Sequence, residues 1–423
     1  MKLFSKIKAQ AMQFAILISV LIAVILSAFL LLTHVHSFFR IKSKEILQAF
    51  EESNTLLFAS LENNTITEDT ITTTVDHKTT KQILKYHGAW LKRYASVSMH
   101  NRKVIKMMYT GSKRSDNTPN FYIEDTNSPI VVAGNTRLEG NSYLPKQGIK
   151  AGTISGNYYQ GSALHYGRIL KSKTTLPELD SNWIKYLNTI VKGSYIDQKG
   201  LIDLKKELRN SFQNPTQIIY DFAPIFLEDH KISGNIIIQS KTKIVVTATS
   251  QLTDVILIAP KIIIKNNVKG RFQGIATKNI EVGKKCHLSY PSSLILLDQK
   301  VISENTHNNQ VRYTKPDFIL DEGTVIDGTV VYLNDHKTKK NRINPHLAIA
   351  PNVTVVGEVY CQGNIDFQGT ILGSLYARQC IARQSGSVYL NHVYNGKILI
   401  NPIDDYAGLP FVNSENDIAK WLY

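Results

Sequence analysis

From Phe14 to Thr33 the chain is apolar except at Ser19 and Ser27, and no charged side chain occurs between Lys8 and His34. At about 1.5 Å per residue this run spans the roughly 30 Å hydrocarbon layer of a bilayer. A helix also satisfies its own backbone hydrogen bonds, so lipid can surround it at little cost. The pattern predicts a cytoplasmic tail over 1–12 and a transmembrane helix over 13–33, with Phe14, Leu17, Leu21, Ile25, Phe29 and Leu32 as membrane-anchor residues. The basic start (Lys2, Lys6, Lys8) also suits a signal peptide, but the run is too long for one and no small-x-small cleavage site precedes Arg40. Arg40, Lys42 and Lys44 balance the first flank, so charge alone does not orient the helix. A tail this short ordinarily stays in the cytoplasm, and the expected body is periplasmic or otherwise extracytoplasmic.

After the apolar run, Val35, Phe39, Ile46, Phe50, Leu57 and Leu61 recur at spacings of four and seven among polar residues. This predicts an amphipathic stalk helix over 34–62 whose stripe packs on the chain's own body, a neighbouring helix being the alternative. No Gly or Pro interrupts Met1 to His87, so anchor and stalk read as one helix. A small α+β segment is expected over 63–129. In it, the Thr-rich stretch Thr65 to Thr80 reads as a linker or exposed strand, and Ala89 to Met99 and Val104 to Gly111 as strands joined at His100, Asn101 and Arg102.

From about residue 130 glycines punctuate short apolar steps, at Gly134, Gly140, Gly148, Gly152, Gly156, Gly161 and Gly167, which predicts a first β-solenoid segment over 130–179. Residues 180–215 then read as a helical insertion. Trp183, Leu187, Ile190 and Val191 form one face, Leu201, Leu204, Leu208 and Phe212 another, with Gly193 and Gly200 between them and Pro215 closing the pair. A main β-solenoid is expected over 216–402. Ile236–Ile238, Ile244–Thr247, Val255–Ile258, Ile262–Ile264, Ile280–Val282 and Leu294–Leu297 are its short β-branched strands. Near its end Gly357-Glu-Val-Tyr, Gly363-Asn-Ile-Asp and Gly369-Thr-Ile-Leu stand six residues apart, and Gly373-Ser-Leu-Tyr and Gly386-Ser-Val-Tyr follow more loosely. Glycine turns a corner there, and the apolar residue two positions on points inward. Residues 303–315 and 334–345 read as ejected loops. A C-terminal cap or tail covers 403–423, with Ile418, Trp421 and Leu422 on one face.

Val355 to Leu390 resembles the bactofilin class of polymer-forming β-helix proteins, whose rungs also read glycine, one residue, aliphatic. The resemblance implies a β-helix core that self-associates and scaffolds envelope machinery, although this chain's inserts and long N-terminal module depart from the compact family form. Gln13 to Leu61 separately resembles the anchoring helix of type IV pilin-like minor subunits, without the Gly-Phe processing site or an early acidic residue.

A chain of 423 residues, 43% hydrophobic and 20% charged, is that of a folded protein of two or more domains. Cys286, Cys361 and Cys380 allow at most one disulfide and show no zinc spacing. The net charge of +15 is scattered, and only Lys337, Lys339, Lys340 and Arg342 form a compact basic patch for an anionic ligand or polymer. A repeated basic and aromatic pattern is missing, so nucleic acid is disfavoured as partner. The acidic pairs Glu228-Asp229, Asp321-Glu322 and Asp404-Asp405 suit solvated turns better than polysaccharide cleavage. His346 and His392, candidate bases for a hexapeptide-repeat acyltransferase, lack partners in the sequence. No nucleotide, metalloprotease or EF-hand motif occurs. The fold class expected is mainly β, a β-solenoid (β-helix) body with a helical insertion, preceded by the transmembrane helix, stalk and α+β segment. The expected role is a nonenzymatic, membrane-anchored scaffold of the bacterial cell envelope at the inner membrane, without catalytic residues, cofactor or metal. Its partners would be the membrane and copies of itself or another envelope protein. The alternatives are a pilus-like or secretion-system minor subunit and a glycan-active β-helix enzyme.

Overall fold

The computed structural model describes residues 9–62, 67–75, 78–100, 102–193, 200–299, 315–334, 343–400 and 406–422. The chain divides into two compact units. The first holds Met1–Ala59, Asp69–Gln82 and Tyr94–Lys106, and the second Ser60–Glu68, Ile83–Arg93 and Met107–Tyr423.

The first unit is built on helix α1, Ala9–Leu61, which is long and apolar enough to cross a membrane. Phe14, Leu17, Leu21, Ile25, Phe29 and Leu32 are each more than half exposed, the condition a lipid-facing surface requires. Farther along, the helix packs on strand residues of the same unit, where Ala49 meets Val97 and Met99. The buried face is Ala49, Ser53 and Leu57, four residues apart, whereas Val35, Phe39, Ile46 and Phe50 of the expected stripe remain exposed. Small Ala49 and Ser53 let the helix lie close, which larger residues one position away would prevent. Polar contacts border that face, with Lys78 Nζ 2.5 Å from Glu52 and Lys106 Nζ 3.2 Å from the Phe50 ring centre. Residues 63–129 supply strands alone among the described residues, so the expected α+β segment has its helix only in α1.

The second unit is dominated by a sheet that closes turn by turn around one core and whose pairings are almost all parallel. Three inward columns run through it. Leu208, Ile232 and Leu252 begin one, and Leu288, Ile326, Val355, Ile371, Ile398 and Leu138 extend the same face. Ile244, Ile262, Ile280, Phe318, Leu347, Ile365 and Cys380 form another. Leu257, Leu294, Val330, Val359 and Leu375 belong to the third, and these side chains join one core. Successive partners lie about one turn apart, Lys231 opposite Gln251 and Lys243 opposite Lys261. Aliphatic residues of period two face inward while their polar neighbours face out.

One corner shows why glycine recurs. Gly328, Gly357 and Gly373 are in register at φ 146°, 136° and 142°. An added Cβ would fall 1.9 to 2.2 Å from the carbonyl oxygen one turn earlier. Gly386 is different: it turns an antiparallel hairpin, Gln384 opposite Ser387, and Val388 is only half-buried. All three cysteines are buried free thiols and behave as small apolar residues of the core.

Three expectations need correction. The segment 130–179, with Phe121–Ile123 ahead of it, joins the sheet at the strands near residues 370–399 and not at those near 216: Arg137–Leu138 pairs with Lys397–Leu399, Phe121–Ile123 with the strand Thr370–Gln384, and Ile169–Lys171 with Ser142–Leu144. Among the described residues the helical insertion holds one helix, α2 at Ser181–Lys192, capped by the Asp180 carboxylate and by Gly193 at φ 76°. Leu201 to Phe212 is not helical, because Leu208 enters an inward column on the strand Glu207–Asn210. Nor do Ile418, Trp421 and Leu422 of the expected C-terminal cap or tail share one face. Asn416–Leu422 is a strand antiparallel to Arg102–Lys113, with Ile418 opposite Thr110 and Trp421 opposite Met108. An open strand edge offered backbone hydrogen bonds that outweigh the helical spacing of Ile418, Trp421 and Leu422.

The turn at Gly88 docks on this sheet. Ala89 N–H donates to Gln273 Oε1 at 2.6 Å, Trp183 Nε1 to Gly88 O at 3.1 Å, and Trp90 Nε1 to Pro291 O at 3.0 Å. A side chain at Gly88 would collide with Gln273.

Candidate functional site

The C-terminal segment closes two clefts against the outer face of the parallel sheet. The first, of about 940 Å³, has a floor of outward side chains flanking an inward column. Arg209, Ser233, Thr253 and Arg271 are successive register partners on one side of that column, and Glu207, Lys231 and Gln251 on the other. Lys420 and Trp421 of the last strand form the wall.

Asp254 is the pivot of this cleft. It sits at φ 62°, left out of the pairing between Thr253 and Val255, so the bulge re-aims its side chain. Its carboxylate accepts Arg271 Nε at 2.8 Å and Nη2 at 3.1 Å, and also Lys420 Nζ. Burial lowers the Lys420 pKa, and the hydrogen bond to Asp254 opposes that shift. Two cations therefore share one carboxylate.

The second cleft, of about 730 Å³, is lined by Glu358, Arg114, Tyr376 and Phe411. Glu358 occupies a register position held by Thr329 and Ser374 on the neighbouring strands. It is buried, accepts the Leu409 N–H at 2.6 Å, and lies where any Cβ on Gly408 would fall 2.3 Å from its oxygen. Burial pushes its pKa up to about 7, against the opposing pull of the Leu409 N–H and the Arg114 guanidinium. Beside it Tyr360, Tyr376, Tyr122 and Tyr143 stack in register, with ring centres 6.0, 6.4 and 5.5 Å apart. The Tyr360 and Tyr122 hydroxyls donate to Pro177 O and Thr175 O, each at 3.0 Å. A carboxyl that titrates near neutrality in a cleft can exchange a proton. Here an oxygen already accepts a backbone N–H, so Glu358 first fastens residues 408–409 to the sheet.

The basic patch Lys337, Lys339, Lys340 and Arg342 lies outside the described residues, as do Asp404, Asp405 and most of both expected ejected loops. Glu228 and Asp229 are exposed, Asp229 at φ 56° in a turn. His346 Nδ1 accepts the Asn364 N–H at 3.0 Å and its ring packs on Tyr332, while His392 Nδ1 lies 2.7 Å from Leu390 O. These contacts give both histidines structural work. Among the described residues no group of three or more His, Cys, Asp or Glu is arranged to hold a metal.

Sequence reasoning missed both clefts. Their signal was the polar-aliphatic-polar triplets Glu207-Leu-Arg, Lys231-Ile-Ser and Gln251-Leu-Thr, and the single Glu after a corner glycine at Gly357. Compared with family models, curated proteins and solved structures, the chain finds no match.

Proposed function

We propose that this protein is a membrane-anchored β-solenoid scaffold or assembly component of the bacterial cell envelope, its body on the periplasmic side of the inner membrane. The observation that carries the reading is the stack of parallel strands with continuous apolar columns, attached to a helix whose apolar surface is bare. Such a stack is a rigid surface whose terminal strands are ready to pair. At one end, among the described residues, Ile169–Lys171 pairs only with Ser142–Leu144. Arg168 N–H and Ser172 N–H donate into that pairing, so by the alternation of a strand Ile169 and Lys171 N–H point to the free edge.

The test is light scattering and negative-stain imaging of the full chain in detergent across a concentration series. Concentration-dependent rods that Lys171→Pro abolishes, with the melting midpoint unchanged, are expected. A monomer at every concentration would oppose self-assembly and leave a different partner as the scaffold's client.

The pilus-like reading has one feature in its favour: α1 runs unbroken for 53 residues and exposes Phe38, Phe39, Leu47 and Phe58 beyond the apolar run. N-terminal sequencing of the mature protein separates the two readings, since loss of about the first ten residues supports processing of the pilin kind and an intact start opposes it.

A further inference from the structure

We propose that the first cleft binds an acidic oligosaccharide, a chain of sugar rings bearing carboxylates. The argument starts from charge. Arg271 and Lys420 share the Asp254 carboxylate, so that end of the cleft lacks one negative charge. At the other end the exposed Arg209 and Lys231, on the adjacent strands Glu207–Asn210 and Lys231–Gly234, outnumber the one acidic lining residue there, Glu207. A concave, partly desolvated surface concentrates positive potential and draws an anion.

Spacing supplies the second step. Arg209 and Arg271 are separated by three steps of parallel register, through Ser233 and Thr253. At about 4.8 Å per strand their backbones lie roughly 14 Å apart. A ligand serving both ends must be extended and carry more than one acidic group. Between the cations stand the Ser233 and Thr253 hydroxyls and the Gln251 amide, each able both to donate and to accept. That is the complement of sugar hydroxyls, and a ligand made only of anionic acceptors would leave their acceptor capacity unused. Half-buried Trp421 adds an apolar face at the wall, suited to the C–H face of a pyranose ring.

The probes are tetragalacturonate, neutral maltotetraose, and inorganic polyphosphate of matched charge, titrated into the full chain in detergent by calorimetry and tryptophan fluorescence. Trp90 and Trp183 are fully buried, so a ligand-dependent emission change is assigned to Trp421 and disappears in Trp421→Phe. Tetragalacturonate should bind, with Arg209→Gln and Lys231→Gln each weakening it about tenfold, as the loss of a charge-assisted hydrogen bond does. Both side chains are exposed, so the melting midpoint should stay unchanged. Maltotetraose should bind at least about tenfold more weakly than tetragalacturonate. No binding of tetragalacturonate, or binding by both variants as tight as by the unaltered chain, overturns the proposal. Polyphosphate binding as tightly as the uronate overturns the glycan assignment in favour of a surface that reads charge alone. Binding is read directly, so the result is independent of whether the protein assembles.

Discussion

Two carboxylates meet the C-terminal segment, and the sheet treats them in opposite ways. Asp254, on a bulge at the rim of a cleft, is matched by two cations, Arg271 and Lys420. Glu358, deep under Gly408, is met by a backbone N–H, and burial raises its pKa to about 7. At a rim, where water still reaches, a charge is retained by pairing it. In the interior desolvation outweighs the available partners, and the carboxyl is kept neutral over much of the pH range. One segment is thus fastened at one point by an ion cluster and at another by a backbone N–H donated to a buried carboxyl.

The largest break in this comparison is expected from Gly408→Val, whose Cβ would strike the Glu358 carboxylate. Because displacing that carboxyl also breaks the bond it accepts from Leu409 N–H, the substitution should cost about 3 kcal/mol or more in a urea titration. Next is the pH dependence of stability. The folded chain holds the Glu358 proton until about pH 7, whereas the unfolded chain releases it near the ordinary value of 4.5. Between those values the folded state binds more protons. The stabilisation is therefore fully present below about pH 4.5 and is lost as pH rises through 7, on the order of 3 kcal/mol for such a shift. Asp366, raised by burial to about 6 against the pull of Arg383, acts in the same direction. Burial lowers the pKa values of His87, His165 and His230, which acts in the opposite direction in both proteins, so relative to Glu358→Gln the melting midpoint of the unaltered chain should fall from pH 5 to pH 8. An unchanged slope in the variant would remove Glu358 from the account. The smallest effect belongs to Asp254→Asn, which leaves Arg271 and Lys420 facing each other. Because those groups are partly solvated the cost should be about 1 kcal/mol, and thermal melts should show the gap narrowing in high salt.

Much of this fold was readable because burial speaks through repetition. Five of the six short aliphatic strands expected between Ile236 and Leu297 lie within observed strands, the sixth, Ile244–Thr247, overruns the observed Lys243–Val246 by one residue, and the corner glycines at 357 and 373 do what their spacing implied. What could not be read was pairing between distant segments. Leu201 to Phe212 has the spacing of a helix face, and only the register of Leu208 with Ile232 makes it a strand. Ile418, Trp421 and Leu422 likewise became a strand because Arg102–Lys113 presented an edge. The clefts share this cause: Lys420 and Asp254 are 166 positions apart, and neither is unusual in its own surroundings. Within the stalk the helix itself was legible but its packed face was not, since close approach favoured Ala49 and Ser53 over the larger Ile46 and Phe50.

The order of the stack underlies both the assembly edge proposed at Ile169–Lys171 and the floor of the first cleft, and a cross-link tests it most directly. Arg137 and Lys397 are register partners on parallel strands, and adjacent strands bring Cα atoms to about 5 Å, within disulfide reach. The measurement is mass spectrometry of the oxidised Arg137→Cys/Lys397→Cys protein beside Arg137→Cys/Glu207→Cys. The account predicts an intramolecular disulfide in the first and none in the second. A disulfide to position 207 with none to 397 would place residues 130–179 at the opposite end of the sheet and contradict it.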